Sequence, residues 1–236
     1  MRPYLIGVAG PSCAGKSSLA AHIVSRLNAS TPNAAGTEAG VLSLDSYYHP
    51  LAHLTPPERA RYNFDTPHAL DSDLLLEHAR ELREGRSIQC PVYDFVAHTR
   101  ARQNIQIAPR PFIVIEGLFA LYWQELRALL GTKVYVDLAE ELCLERRIER
   151  DVRERGRTRE SVFLQYQATV APMALRYVYP ARANADLLVS GNAAGLLEAG
   201  VPSEPDFGLL GRDSDYSRQV EAVLRHVQHG LDNPRS

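Results

Sequence analysis

The strongest chemical signal in this sequence is the eight-residue stretch Gly10-Pro-Ser-Cys-Ala-Gly15-Lys16-Ser17, which fits G-x-x-x-x-G-K-[ST]. Glycines let such a loop wrap so that its N–H groups face an anion, and a helix starting beneath it adds positive potential. Gly10, Ser12, Cys13, Ala14, Gly15 and Ser18 are then the lining of a phosphate site. Lys16 would bridge the β and γ oxygens of a nucleoside triphosphate, and the Ser17 hydroxyl would ligate Mg²⁺. The flanks suit this reading, because Tyr4 to Ala9 is an apolar strand and Ser17 to Leu27 has helical spacing. The signal is specific for nucleotide binding and says little about the acceptor.

Two carboxylates stand where open parallel sheets gather their ligands, at the carboxyl ends of predicted strands. Asp45 follows Val41-Leu-Ser-Leu, and Glu116 follows Phe112-Ile-Val-Ile. A carboxylate near a γ-phosphate can hold Mg²⁺ or accept the proton of an attacking hydroxyl. Asp45 is assigned as base or orienter and Glu116 as the metal-side carboxylate. Asp137 also ends a strand, but a helix follows it, and helix capping is expected there.

A third feature is cationic. Residues 146 to 157 hold Arg146, Arg147, Arg150, Arg153, Arg155 and Arg157. Helical spacing puts Arg146, Arg150 and Arg153 on one face, and Gly156 breaks the helix before Arg157. Guanidinium forks clamp phosphate oxygens, and a hinged cluster does so when it closes. Glu145, Glu149 and Glu154 are the expected ion-pair partners for the arginines that only face solvent.

The elements that must position these groups alternate. Strands at 4–9, 41–44, 111–115, 134–136 and 187–189 are separated by helices at 17–27, 70–85, 139–155 and 159–176, with a short helix near 57–61. That order predicts an α/β fold with a parallel sheet flanked by helices. Ser87 to Phe95 and Asn104 to Ala108 read as the arms of a β-hairpin insertion, about 87–108. Residues 28–40 read as a loop, 191–212 as a linker and 214–229 as a terminal amphipathic helix. The expected organisation is one domain over 1–190, with a lid at about 146–160 and the 191–236 tail packed on it.

Composition narrows the classes. The chain has 236 residues, 45% hydrophobic and 23% charged, with a formal charge of −2. That balance gives no bulk attraction to nucleic acid or anionic membrane, so neither is expected as a partner. Three scattered cysteines fit reduced thiols, no apolar run is long enough for a membrane helix, and few residues precede the glycine turn. A cytoplasmic protein is expected.

These residues and several further segments strongly resemble the uridine kinase (uridine–cytidine kinase) family of P-loop kinases. The matching blocks are Gly7 to Ser18, Leu44-Asp-Ser-Tyr-Tyr48, Asn63-Phe-Asp-Thr-Pro67, Pro91 to Arg100 (Pro-Val-Tyr-Asp-Phe-Val-Ala-His-Thr-Arg) and Ile115-Glu-Gly117. Arg146 to Arg157, Gln165-Tyr166 and Pro180 to Val189 complete the series. The resemblance covers residues 4 to 190. It implies ATP or GTP as donor, Mg²⁺ as cofactor, a pyrimidine nucleoside as acceptor and a homo-oligomer, commonly a tetramer. By the same resemblance Asp45 is the catalytic aspartate beside the 5′-hydroxyl and also close to the metal, and Ser17 and Glu116 sit at the metal. Tyr48, Phe64 and Asp65 lie around the nucleoside, with Asp65 at the ribose hydroxyls. Tyr93, Phe95 and His98 form the base pocket, and Arg147, Arg157 and Gln165 add lid and ribose contacts. Arg150 and Arg155 go to the phosphates. The loop at Tyr48-His-Pro-Leu51 departs from the family pattern, and nothing after Gly191 matches it.

Two other readings compete. One keeps the chemistry and changes the acceptor to nicotinamide riboside, a pantothenate-like compound or a sugar phosphate; the aromatic pocket argues against the last. The other is a nucleotide-binding regulator. A GTPase switch would need Asn-Lys-x-Asp and D-x-x-G strings, and neither occurs.

Overall fold

The computed structural model describes residues 2–29, 39–192 and 215–233. β1 (Tyr4–Ala9), β2 (Gly40–Ser43), β5 (Phe112–Glu116), β6 (Thr132–Asp137) and β7 (Leu187–Ser190) form a five-stranded sheet in the order β2-β5-β1-β6-β7. Every pairing in it is parallel. A parallel sheet must be covered on both faces, and alternate residues of one strand serve the two cores. Thus Leu5 and Ala9 of β1 join a core shared with Leu75, Leu82 and Phe119, while Ile6 and Val8 join one shared with Leu19, Ile23 and Val223.

α1 (Lys16–Ala29) starts at the phosphate loop and packs beneath the sheet through Leu19, Ala20 and Ile23. On the opposite face lie α3 (Ser72–Arg83) and α4 (Gln124–Leu129), preceded in the chain by the short α2 (Pro56–Ala60). α4 was not anticipated, because six residues are too few to show a helical period. The insertion is a two-stranded hairpin of β3 (Ile88–Asp94) and β4 (Thr99–Ile107). Its second arm starts five residues before the expected Asn104. Thr99 to Asn104 is polar and mostly exposed, so it carries no alternation to mark it as strand.

α5 (Glu140–Arg155) ends at Gly156, whose φ of 62° is a left-handed cap that glycine adopts without penalty. The expected cap at Asp137 is corrected: the residue before α5 is Ala139, and Asp137 pairs with Arg182 at 2.9 Å. The predicted 159–176 helix is not uniform. α6 (Arg159–Gln165) runs into π-turns at Tyr166–Val170 and Ala174–Val178 around the single turn α7 (Ala171–Met173). Pro172 lacks an N–H and crowds the preceding carbonyls, and widened turns relieve both.

α8 (Asp215–Asp232) buries Tyr216, Val220, Val223 and Val227 in the α1 core. Tyr216 shares a 3.1 Å hydrogen bond with His22, and His226 shares one of 3.0 Å with Thr132. Most of the predicted loop at 28–40 and linker at 191–212 lies outside the described residues. No described helix is long and apolar enough to cross a membrane.

Candidate active site

β1 delivers the chain into the phosphate loop, and Gly10 makes the turn. Its φ is 152°, and a Cβ there would stand 2.4 Å from the Val136 carbonyl oxygen. Cys13 (φ 63°) and Gly15 (φ 99°) also take positive φ, which turns successive N–H groups toward one side as an anion nest. Lys16 is buried and donates from Nζ to the Pro11 carbonyl at 2.8 Å. Burial lowers its pKa against the opposing pull of Glu116 and Asp45.

Two hydroxyls converge on one carboxylate at the start of α1. Glu116, the last residue of β5, accepts from Ser17 Oγ at 3.1 Å on Oε2 and from Ser43 Oγ at 2.7 Å on Oε1. Ser43 was not anticipated; it ends β2, and its Oγ also accepts from the Asp45 N–H at 3.4 Å. Asp45 does not end the strand as expected. It lies in a 3₁₀ turn, Leu44–Tyr47, that Ser43 caps. Burial pushes the Asp45 carboxyl up to about 6, and the nearby Glu116 charge adds to the shift. Lys16, Arg150 and Arg155 pull the other way.

A cleft of about 410 Å³ opens from this cluster. Ser17, Ser43, Asp45 and Glu116 form its polar end, and Tyr93 and Phe95 stand in its apolar wall. Phe64, Asp65, His98 and Gln165 do not line it. The aromatic group extends beyond the lining residues: Tyr48 meets Phe64 at 5.4 Å and Tyr93 at 5.2 Å, and Phe64 stacks on His98 at 5.4 Å and 21°. Tyr93 is buried with the core, and its hydroxyl has no partner, whereas Phe95 is half exposed. Tyr62, 5.2 Å from Phe64, extends the cluster and was missed because it belongs to no motif.

The hairpin turn is built by Asp94, whose Oδ1 accepts from the Val96 and Ala97 N–H groups at 2.8 and 2.9 Å. It leaves His98 at φ 49°, an unusual conformation for a residue with a Cβ. Burial, then the Arg155 charge, lowers the His98 pKa. Burial raises the Asp65 carboxyl against the pull of Arg147 and Arg150.

The arginine segment is organised by a residue that the sequence did not single out. Asp151 is fully buried and faces four guanidinium groups. Its Oδ1 accepts from Arg150 at 2.9 and 2.7 Å, with Arg155 at 3.5 Å. Its Oδ2 has no hydrogen-bond partner, although Arg157 and Arg147 stand 3.7 and 3.8 Å away. The expected face of Arg146, Arg150 and Arg153 is therefore not the converging set. Arg146 donates to the Gly191 carbonyl, and Arg153 pairs with Glu154 at the surface. Arg147 reaches the phosphate loop through Ser12 at 3.0 Å. Gln165 Oε1 accepts from Arg157, and Arg147 approaches it at 3.5 Å. Arg155 lies 5.9 Å over the Phe95 ring, so the arginine segment touches the hairpin as well as the phosphate loop.

The donor set fits a hard cation: two hydroxyls and two carboxylates beside a phosphate loop suit Mg²⁺, which keeps water and phosphate ligands as well. Among the described residues no three or more His, Cys, Asp or Glu side chains form a metal-binding group.

Comparison with known proteins agrees with this geometry. The model of the phosphoribulokinase/uridine kinase family matches residues 5–194. A uridine kinase of Vibrio vulnificus (strain YJ016) is 40% identical over 185 residues, 78% of this chain and 85% of that protein. A uridine kinase of Aliivibrio fischeri (strain MJ11) is 41% identical over the same shares. Among solved structures, a candidate fructose transport system kinase from Silicibacter sp. TM1040 has a TM-score of 0.68 at 20% identity, covering 79% of this chain and 89% of that one. Phosphoribulokinase from Rhodobacter spheroides has a TM-score of 0.62 at 18% identity, covering 80% and 70%. Sheet order, phosphate loop and these matches agree: the chain is a P-loop kinase of the phosphoribulokinase/uridine kinase family.

Proposed function

We propose that this protein transfers the γ-phosphoryl group of ATP, or of GTP, to the 5′-hydroxyl of uridine or cytidine, giving UMP or CMP. The observation that carries the reading is one cleft holding Ser17, Asp45 and Glu116 at its polar end and Tyr93 and Phe95 in its wall. The relatives named as uridine kinases support the same acceptor.

In this mechanism the protein positions and neutralises, and no covalent intermediate is needed. The loop N–H groups and Lys16 hold the β and γ phosphates. Ser17 and Glu116, with Asp45, are the groups that would hold Mg²⁺, which when bound neutralises charge on the phosphate oxygens. Asp45 orients the 5′-hydroxyl and takes its proton. A carboxylate with a pKa of about 6 is ionised at neutral pH yet more basic than an ordinary aspartate, which suits that task. Arg147, Arg150, Arg155 and Arg157 close over the transferring group, and Gln165 steers two of them. Tyr48, Phe64, Asp65 and His98 back the base and ribose side.

The same reading treats residues 1–190 as the kinase unit with α8 as part of it, and places the enzyme in the cytoplasm as a homo-oligomer. Exposed Phe163, Leu164 and Leu175 support a subunit contact. The test is ADP release with Mg-ATP against uridine, cytidine, adenosine, nicotinamide riboside and ribulose 5-phosphate. Fast turnover confined to uridine or cytidine is the expected result. Turnover confined to another acceptor overturns the nucleoside assignment and leaves the phosphate chemistry.

A further inference from the structure

Arg100 closes the Tyr93-to-Arg100 segment, and the mechanism above gives it no task. It does not line the cleft, and its side chain is only 15% exposed. Its guanidinium makes three bonds to segments far away in the chain. Nε donates to the Tyr48 carbonyl at 2.8 Å, while Nη2 donates to the Tyr47 carbonyl at 3.0 Å and to Asp71 Oδ2 at 3.1 Å.

The two carbonyls, of Tyr47 and Tyr48, end the 3₁₀ turn that bears Asp45, and Asp71 caps α3. Carbonyls at the end of a helical turn lack partners within it and attract cations. Asp71 is itself fixed there: its N–H donates to the Tyr47 carbonyl at 2.9 Å, and its Oδ1 caps α3 by accepting from Leu74 N–H at 3.2 Å. The His49 N–H donates to the Ala69 carbonyl at 3.0 Å, which ties the same two segments together. On the hairpin side Arg100 pairs across the ladder with Tyr93 and lies two residues from His98. One side chain therefore fastens the arm carrying Tyr93 and His98 to the turn carrying Asp45 and Tyr48.

We propose that Arg100 is a positioning residue that fixes the base-side arm relative to Asp45, so that the acceptor's ring and its reacting hydroxyl are placed together. The proposal rests on the nucleoside reading given above. Arg100 meets its three acceptors with two nitrogens held apart in one rigid plane, a geometry that the single nitrogen of an ammonium does not reproduce. In-line transfer is sensitive to small misplacements, so a loosened arm lowers turnover although no contact to substrate is lost.

The test measures kcat and both KM values for Arg100→Lys, for His98→Ala and for the double variant, with the wild type as reference. Arg100→Lys is expected to lower kcat for uridine about tenfold, with the KM for ATP within about twofold of wild type. The double variant is expected to lose less than the product of the single losses, because both substitutions act through placement of the base. Unchanged kcat, an equal rise in the KM for ATP, or independent multiplying losses each overturn the proposal. Should Arg100→Lys fail to fold, Asp71→Asn weakens one of the three bonds; a smaller kcat loss of the same kind supports the proposal, and none overturns it. A wild type that ignores uridine and cytidine refutes the substrate reading instead, and the same comparison is then run with the acceptor that is turned over.

Discussion

The site holds two buried carboxylate centres, Glu116 with Asp45 and Asp151 among its arginines, and they are built on opposite terms. Glu116 stands at a strand end with both oxygens hydrogen-bonded to hydroxyls, and beside it Asp45 bears the cost of burial, to which the Glu116 charge adds. Asp151 stands in a helix amid an excess of cations, with one oxygen lacking any hydrogen bond. The first centre has surplus negative charge and awaits cations and phosphate; the second gathers surplus positive charge and holds it ready. A buried ion pair is weak evidence for net stability, but removing one partner strands the other. Substitution at the two centres should therefore move stability in opposite directions.

Asp45→Asn gives the largest effect. Turnover should fall by about 10² or more while ATP affinity holds. Stability should rise, and the sign follows from linkage. The folded pKa, about 6, lies above the ordinary value of 3.8, so the folded state binds the proton more tightly. Stability is then lost as pH rises from the ordinary carboxylate range through 6, by up to about 3 kcal/mol at neutral pH and less for a group still partly open to water. Removing the charge returns that loss. Urea midpoints at pH 7.5 for both proteins check it, and a destabilised variant would contradict a carboxylate penalised by burial and by the Glu116 charge.

Asp151→Asn should do the reverse. Four guanidinium groups would lose their shared counter-charge, costing about 3 kcal/mol, and kcat should fall about tenfold as the lid loses its order. If the same denaturation series shows Asp151→Asn as stable as wild type, Asp151 does not organise the lid.

The smallest effect is the pH profile. The acid limb of kcat/KM for the nucleoside should have its midpoint near 6, with about a tenfold fall from pH 7 to pH 5, and it should vanish in Asp45→Asn. A midpoint near 4 would mean that Glu116 and the burial of Asp45 do not act on it in solution.

Much of the first centre was legible in the sequence. The phosphate loop, Glu116 at a strand end and the region of Asp45 follow from local pattern, because buried parallel strands read as apolar runs and their ends are marked by the first polar residue. The exact seat of Asp45 was not, since Ser43 caps a turn whose four residues are too few to show a period. The second centre was legible as composition but not as geometry. Helical spacing favoured Arg146, Arg150 and Arg153, whereas the buried Asp151 selected Arg147, Arg150, Arg155 and Arg157. Nothing in the run of charges distinguishes Asp151 from its glutamate neighbours until one side of α5 is covered.

By itself the sequence determined the class of the molecule: the alternation of strand and helix, the nucleotide loop and the carboxylates. These rest on short-range rules, in which neighbours in the chain fix backbone shape and burial. Only the tertiary structure decided which arginines converge, that Tyr93 and Phe95 line the cleft while Phe64 and His98 do not, and that Arg100 joins the hairpin to the Asp45 turn. Those choices depend on contacts between segments tens of residues apart, such as Arg100 with Tyr48 and Arg147 with Ser12, and the closure of such contacts leaves no periodic trace along the chain.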